Sequence, residues 1–261
     1  MEAPVKKGVN VIPVFDLLHT KVKLTECAPD IEEGQDPVDM ARQVSLGGAD
    51  EVAFIDVDIP RLGFKIWKEI ISKLKEAVDI PVWFGYSMNT YEDFEVILNT
   101  GVDRVVIDVI GNTDQSIIDR LSWTFNKERI VVAVGGVKNP PESGRPEIEL
   151  VHHLDKMPTG MNLIDWLKMA EYFGAGAILL SSYDTIGTGE GFDIEMIKAV
   201  TSAISVPVIA YGGAGELEHF YEVVKETGVR GVAATSVFTS GKFRPSEIKE
   251  FLESKKIEVA Q

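Results

Sequence analysis

The chain has 261 residues, 45% of them hydrophobic and 26% charged, with a formal net charge of −15. That apolar content is enough for one large core and excludes global disorder, while an acidic chain without a basic run excludes a phosphate-neutralising nucleic-acid surface. A single cysteine, Cys27, excludes an intramolecular disulfide, and no apolar run approaches the roughly 18 residues of a membrane helix. The N-terminal stretch MEAPVKKGVN lacks the apolar centre of a signal peptide, so a cytoplasmic protein with neither a nucleic-acid nor a membrane partner is expected. Cys27, between Glu26 and Ala28, reads as an ordinary loop residue.

In chain order, β-rich runs bounded by turn residues predict strands over 10–16 (NVIPVFD) and 51–57 (EVAFIDV). A helix follows over 67–78, with Ile70, Ile71, Leu74 and Val78 on one face. A third strand is predicted over 81–86 and a helix over 91–101 that stops at Gly101, a favoured helix terminator. Strands over 104–109 and 129–135 come next. The stretch 138–160 is too long for a simple turn and reads as an elaborated loop with a short hairpin around EIELVHH. A helix over 163–174, a strand over 177–182, a helix over 195–204, and strands over 207–211 and 231–235 complete the pattern. Near-continuous apolar runs, rather than alternating ones, suit parallel strands buried on both faces.

The chain also repeats itself. GGADEVAFIDVD at 47–58 answers FGAGAILLSSYD at 173–184, and Pro81-Val82 answers Pro207-Val208, in each case 126 positions on. Eight strands alternating with helices, in two halves built alike, predict a single (β/α)8 barrel over 1–261. An open doubly wound sheet is the alternative, disfavoured by the half-chain repeat.

In such a barrel the C-terminal ends of the strands form the catalytic face. Asp16, Asp56 and Asp108 fall at strand ends and Asp184 just beyond one. Asp16 and Asp108 are the candidate acid/base groups. Asp184 and Asp193 read equally well as helix caps. Gly212-Gly213-Ala214-Gly215 follows the seventh strand and Thr235-Ser236 the eighth. Close backbone approach, free N–H groups and a hydroxyl suit a phosphate group there. The first-half counterparts are Gly85-Tyr86-Ser87-Met88 and Asp108-Val109, which place a bulky ring and a carboxylate where an anion would sit. No metal or cofactor is expected: His152 and His153 are adjacent and point opposite ways on a strand, and His19 and His219 lack partners at ligand spacing.

The runs VIPVFD (11–16), GGADEVAFIDVD (47–58), TGMNLIDW (159–166), ILLSSYDTIGTGEGFDIEMI (178–197), PVIAYGGAGELEHF (207–220) and TSVF (235–238) carry a resemblance. Over nearly its whole length the chain resembles the HisF family, the cyclase subunits of imidazole glycerol phosphate synthase, and more distantly the HisA isomerases. The resemblance implies a half-duplicated barrel acting on a bisphosphate ribonucleotide, with one phosphate held by each half. It implies two acid/base aspartates, and ammonia arriving through the barrel from a glutaminase of the HisH type docked on the opposite face. The products implied are imidazole glycerol phosphate and AICAR.

Residue by residue, the first-strand aspartate of the family matches Asp16, and the fifth-strand aspartate matches Gly135. The loop-one lysine falls on Leu24, beside Lys23. The second-half phosphate residues match Gly187, Gly213 and Ser236, while the aspartate before the first of these is Ile186. The first-half phosphate motif matches Gly85-Tyr86-Ser87, and an Asn-Thr pair matches Asp108-Val109. The charged gate facing the partner matches Asn10, Glu51, Arg104 and Ala177, with Asp103 as the residue that couples to the glutaminase. A HisF-type cyclase is therefore expected. The alternatives are a diverged paralogue that binds a monophosphorylated ligand, and a non-catalytic, ammonia-conducting partner of a glutamine amidotransferase.

Overall fold

The computed structural model describes residues 8–18, 20–23, 34–57, 63–86, 90–108, 116–151 and 156–260. In the first half, β1 (Asn10–Leu18) carries a short antiparallel return, β2 (Lys21–Val22), and is followed by α1 (Pro37–Leu46). Then come β3 (Val52–Asp56), α2 (Gly63–Ala77), β4 (Val82–Tyr86), α3 (Tyr91–Leu98), β5 (Arg104–Asp108) and α4 (Ser116–Phe125). The second half begins with β6 (Ile130–Lys138), β7 (Ile148–Val151), β8 (Pro158–Asn162) and α5 (Leu163–Tyr172). It continues with β9 (Ala177–Ser182), α6 (Ile194–Ala203), β10 (Val208–Tyr211), α7 (Leu217–Thr227) and β11 (Gly231–Ala234). A one-turn α8 (Ser236–Thr239) and α9 (Pro245–Ser254) close the chain.

Eight of these strands close a parallel barrel in the order β1, β3, β4, β5, β6, β9, β10, β11, with β11 returning to β1 through the pairs Asn10↔Gly231 to Pro13↔Ala234. The (β/α)8 architecture expected from the repeat is the one observed. The half-chain offset survives in three dimensions: a shift of 126 carries α1 onto α5, and β4 onto the start of β10.

Local signals set the helix limits. Asp36 caps α1 by accepting from Val38 N at 2.8 Å, with Pro37 at the first helical position. Thr90 and Asp93 form a reciprocal capping box on α3. Two strips of core result. Side chains leaving the barrel outward, such as Phe15, Phe54, Phe84 and Leu180, pack under the helices with Trp67, Phe94 and Phe220. Those pointing inward, among them Ile12, Val14, Trp83, Val106, Val131 and Leu179, fill the barrel axis.

The elaborated loop after the fifth barrel strand is more regular than a single hairpin. β6 runs three residues past its predicted end because it leaves the barrel and pairs antiparallel with β7, which in turn pairs with β8. The buried Glu149 holds this arm, accepting from Gly160 N at 2.6 Å and Asn139 Nδ2 at 2.8 Å. His19, Leu24, Cys27, Ser87, Met88, Val109, His152 and His153 lie outside the described residues.

Candidate active site

The strand ends gather a site on one side of the barrel mouth. β1 alternates Asn10, Ile12, Val14 and Asp16 toward the axis, so the acid stands one layer above the buried Val14. The β1–β2 return brings Lys23 beside it, with Lys23 N donating to Asp16 O at 2.8 Å. An open pocket joins Asp16 and Lys23 to Gly187, Gly212, Gly213, Thr235 and Ser236. Ile186, Tyr211 and Ala214 complete its wall. Asp108 ends β5, the strand opposite β11 in the barrel order, and does not line this pocket.

The glycines of the pocket have two physical reasons. A Cβ on Gly213 would lie 2.1 Å from Gly191 O, and one on Gly215 would lie 2.1 Å from Gly189 O. The loop after β9 therefore presses on the loop after β10, and Gly191 N donates to Gly213 O at 2.8 Å. Gly213 also has φ +95°, a backbone that only glycine adopts cheaply. Close packing thus accounts for part of the glycine pattern. What remains for a ligand is the set of N–H groups: among the described residues, those of Gly187, Gly213, Ala214 and Ser236 have no protein acceptor assigned. Together with the exposed Ser236 hydroxyl, they are the donors that this part of the pocket offers a ligand.

Thr235 is braced. Its hydroxyl donates to Val14 O at 2.7 Å, so the Tyr211 phenol, 3.0 Å away, is the donor in that contact. The phenol oxygen is thereby fixed at the pocket wall as an acceptor. Nothing in the sequence singled out Tyr211, whose only signal is an aromatic residue at the last position of a barrel strand.

Tyr183 is a second ring that sequence reasoning missed. A Cβ on Gly135 would meet Tyr183 Cε2 at 2.2 Å and Cζ at 3.2 Å. Gly135 faces the axis above Ala133, so the Tyr183 ring occupies the space that a side chain at position 135 would fill. Tyr183 N donates to Gly136 O at 2.9 Å and anchors the ring there. Asp184 and Asp193 serve structure. Asp193 caps α6 by accepting from Met196 N at 3.1 Å and is buried against Ser182 Oγ at 3.0 Å, while Asp184 accepts from Lys138 N at 3.0 Å. Burial pulls the Lys138 ammonium down, but hydrogen bonds to Glu195 and Asp193 outweigh it and raise its pKa above the ordinary lysine range. Asp56 is buried at the end of β3.

On the opposite face, the floor, Glu51 is buried and accepts from Asn10 Nδ2 at 2.9 Å and Trp83 Nε1 at 2.5 Å. Arg104 Nε lies 3.3 Å from the same carboxylate and stacks 5.1 Å from the Trp83 ring centre. Asp103 accepts from Lys75 Nζ at 2.5 Å and Val82 N at 2.7 Å. His219 is part of a helix start, its Nδ1 accepting from Gly215 N and Glu216 N. Among the described residues, no group of three or more His, Cys, Asp or Glu side chains is arranged to hold a metal ion, and no helix is long and apolar enough to cross a membrane.

Residues 10–244 match the family described as histidine biosynthesis protein. The chain is 36% identical, over 254 residues, to the imidazole glycerol phosphate synthase subunit HisF of Endomicrobium trichonymphae, an alignment covering 97% of this chain and 96% of the relative.

Proposed function

The chain belongs to the histidine biosynthesis protein family, and we propose that it works there as a HisF-type cyclase subunit of imidazole glycerol phosphate synthase, acting on a phosphorylated ribonucleotide with ammonia as nitrogen source. The observation that carries this reading is the likeness to a HisF subunit over 97% of the chain, joined to a mouth pocket that holds Asp16 beside Gly187, Gly213 and Ser236. A phosphate of the substrate sits on the N–H groups of Gly187, Gly213, Ala214 and Ser236, within reach of the Ser236 hydroxyl. Gly212 allows the close backbone approach, and Thr235, tied to Val14 and Tyr211, keeps the start of α8 in place. Asp16 is the group that moves a proton at the ring-forming centre, with Lys23 next to it as the local positive charge. Asp108, across the mouth, faces the far end of a long substrate. A glutaminase partner of the HisH type docks on the floor, where Glu51, Asp103 and Arg104 are presented.

The test is an ammonia-dependent assay with the bisphosphate substrate. AICAR released above background, and abolished by Asp16→Asn, is the expected result. No AICAR from the wild-type chain refutes the reading.

Two observations favour a second reading. Tyr183 fills the space above Gly135, and Asp108 places a carboxylate in the first-half counterpart of the anion site. A ligand carrying a single phosphate fits such a mouth better than a bisphosphate. Calorimetry with sugar monophosphates, alongside the bisphosphate, separates the two.

A further inference from the structure

At one corner of the mouth, two hydrogen bonds tie three neighbouring strands together. Tyr211, the last residue of β10, holds its phenol oxygen 3.0 Å from Thr235 Oγ1, just past β11, and Thr235 Oγ1 lies 2.7 Å from Val14 O on β1. A backbone carbonyl only accepts, so the single hydroxyl proton of Thr235 is spent on Val14. The contact with Tyr211 then takes the single proton of the phenol. The direction of both bonds is set by the carbonyl at the end of the chain. The ring itself packs against the cluster of side chains inside the barrel, which holds the phenol oxygen at this level of the wall.

Tyr211 lines the same pocket as Asp16, Gly213 and Ser236. With its proton committed to Thr235, the phenol oxygen meets a ligand as an acceptor and not as a donor. A phosphate, carboxylate or ether oxygen placed there sets lone pair against lone pair. A hydroxyl or amine finds a partner. The donors of the pocket begin next door, because Ser236, with its N–H and hydroxyl, directly follows Thr235. The wall therefore presents two unlike stations side by side, N–H donors for an acceptor-rich end and a phenol acceptor for a donor. β11 lies between β1 and β10 in the barrel, so Asp16 and Tyr211 flank the same threonine.

We propose that Tyr211 is a specificity-determining residue: its phenol oxygen accepts a hydrogen bond from a hydroxyl on the carbon arm of a bound phosphate ester and fixes that arm beside Asp16. The proposal rests on the phosphate site put forward above and adds the class of ligand that the site prefers. That class is a polyol or sugar phosphate with a hydroxyl close to the ester, in preference to an ester whose arm carries no donor. Tyr211 also sets the polarity of binding, with the phosphate on the Ser236 side and the hydroxyl on the phenol side.

Calorimetry on the full chain tests this without any turnover. Three esters are compared: glycerol phosphate, whose arm donates; methoxyethyl phosphate, whose ether oxygen accepts and cannot donate; and propyl phosphate, whose arm does neither. Affinities are read as ratios to propyl phosphate within each variant, so a general change in phosphate binding cancels. Tyr211→Phe is expected to lower the ratio for glycerol phosphate about three- to tenfold, the worth of one neutral hydrogen bond. Thr235→Val takes away the acceptor of the phenol proton and lets it turn to the pocket. The ratio for methoxyethyl phosphate is then expected to rise by a similar factor, a change of preference that a purely structural role would not produce. A glycerol phosphate ratio that Tyr211→Phe leaves within about twofold of wild type overturns the role of Tyr211 while the phosphate site stands. An unchanged methoxyethyl phosphate ratio in Thr235→Val overturns the fixed direction of the two bonds. If neither inorganic phosphate nor any of the esters binds, the phosphate site itself falls, and this inference with it.

Discussion

Replacing Glu51 by alanine removes the acceptor on which the floor of the barrel is built, and the cost follows from what is left behind. The Trp83 indole N–H, fully buried, loses its acceptor, and a buried donor stranded in this way costs about 1–3 kcal/mol. Arg104 loses its ion-pair partner, but its side chain is 30% exposed, so water replaces much of that interaction and the pair is discounted to about 1 kcal/mol or less. The Asn10 amide N–H loses an acceptor in a site where its own Oδ1 already lacks a donor. The expected total is about 3 kcal/mol, near the lower end for breaking a buried pair. For a chain of this size that corresponds to a fall in Tm of roughly 6–12 °C. Glu51→Gln keeps an oxygen for the indole and loses only the charge, so about 1 kcal/mol is expected. Urea unfolding followed by circular dichroism, with midpoints compared at unchanged slope, measures both. An alanine variant within about 0.5 kcal/mol of wild type, or a glutamine variant as costly as alanine, would refute the reasoning, because the buried indole would then not depend on its acceptor.

Ser236→Asp places a carboxylate at the proposed phosphate site, and calorimetry with inorganic phosphate should lose its binding heat while the unfolding midpoint stays put; retained binding would move the phosphate elsewhere. Gly135→Asp should destabilise the protein by about 1–3 kcal/mol, because its Cβ would lie 2.2 Å from the Tyr183 ring, and Tyr183→Ala should relieve most of that cost. Additive costs in that double-mutant cycle would show that the ring moves aside freely. Glu216 is held below the ordinary carboxylate range, first by its hydrogen bond to Lys242. A depressed carboxylate contributes above its unfolded pKa, near 4.5, and loses that contribution as pH falls through its folded value. Carboxyl NMR titration should therefore show Glu216 moving up in Lys242→Met, and an unchanged midpoint would reject Lys242 as the cause.

That Asp16, the glycine loop after β10 and Ser236 share the barrel mouth was legible because each placement depends on position along the chain. A strand end followed by glycines, or by a hydroxyl at a helix start, puts its groups at the mouth whatever the rest of the fold does. The half-chain repeat pointed to closure, since two like halves of four strands each complete one barrel. The arm after β6 was harder to read. Its strands pair with an extension of a barrel strand, and nothing local to 138–160 says where that extension ends.

What the chain by itself determined is the order of strands and helices, the closed architecture and the family, because apolar periodicity, caps and motifs are encoded within short windows. Only the tertiary structure decided what fills the barrel. Glu51 stands just before β3, Trp83 on β4 and Arg104 on β5, and Gly135 and Tyr183 come from either side of the β7–β8 arm. Their meeting depends on register and side-chain direction across the closed sheet, and no spacing along the sequence records either one.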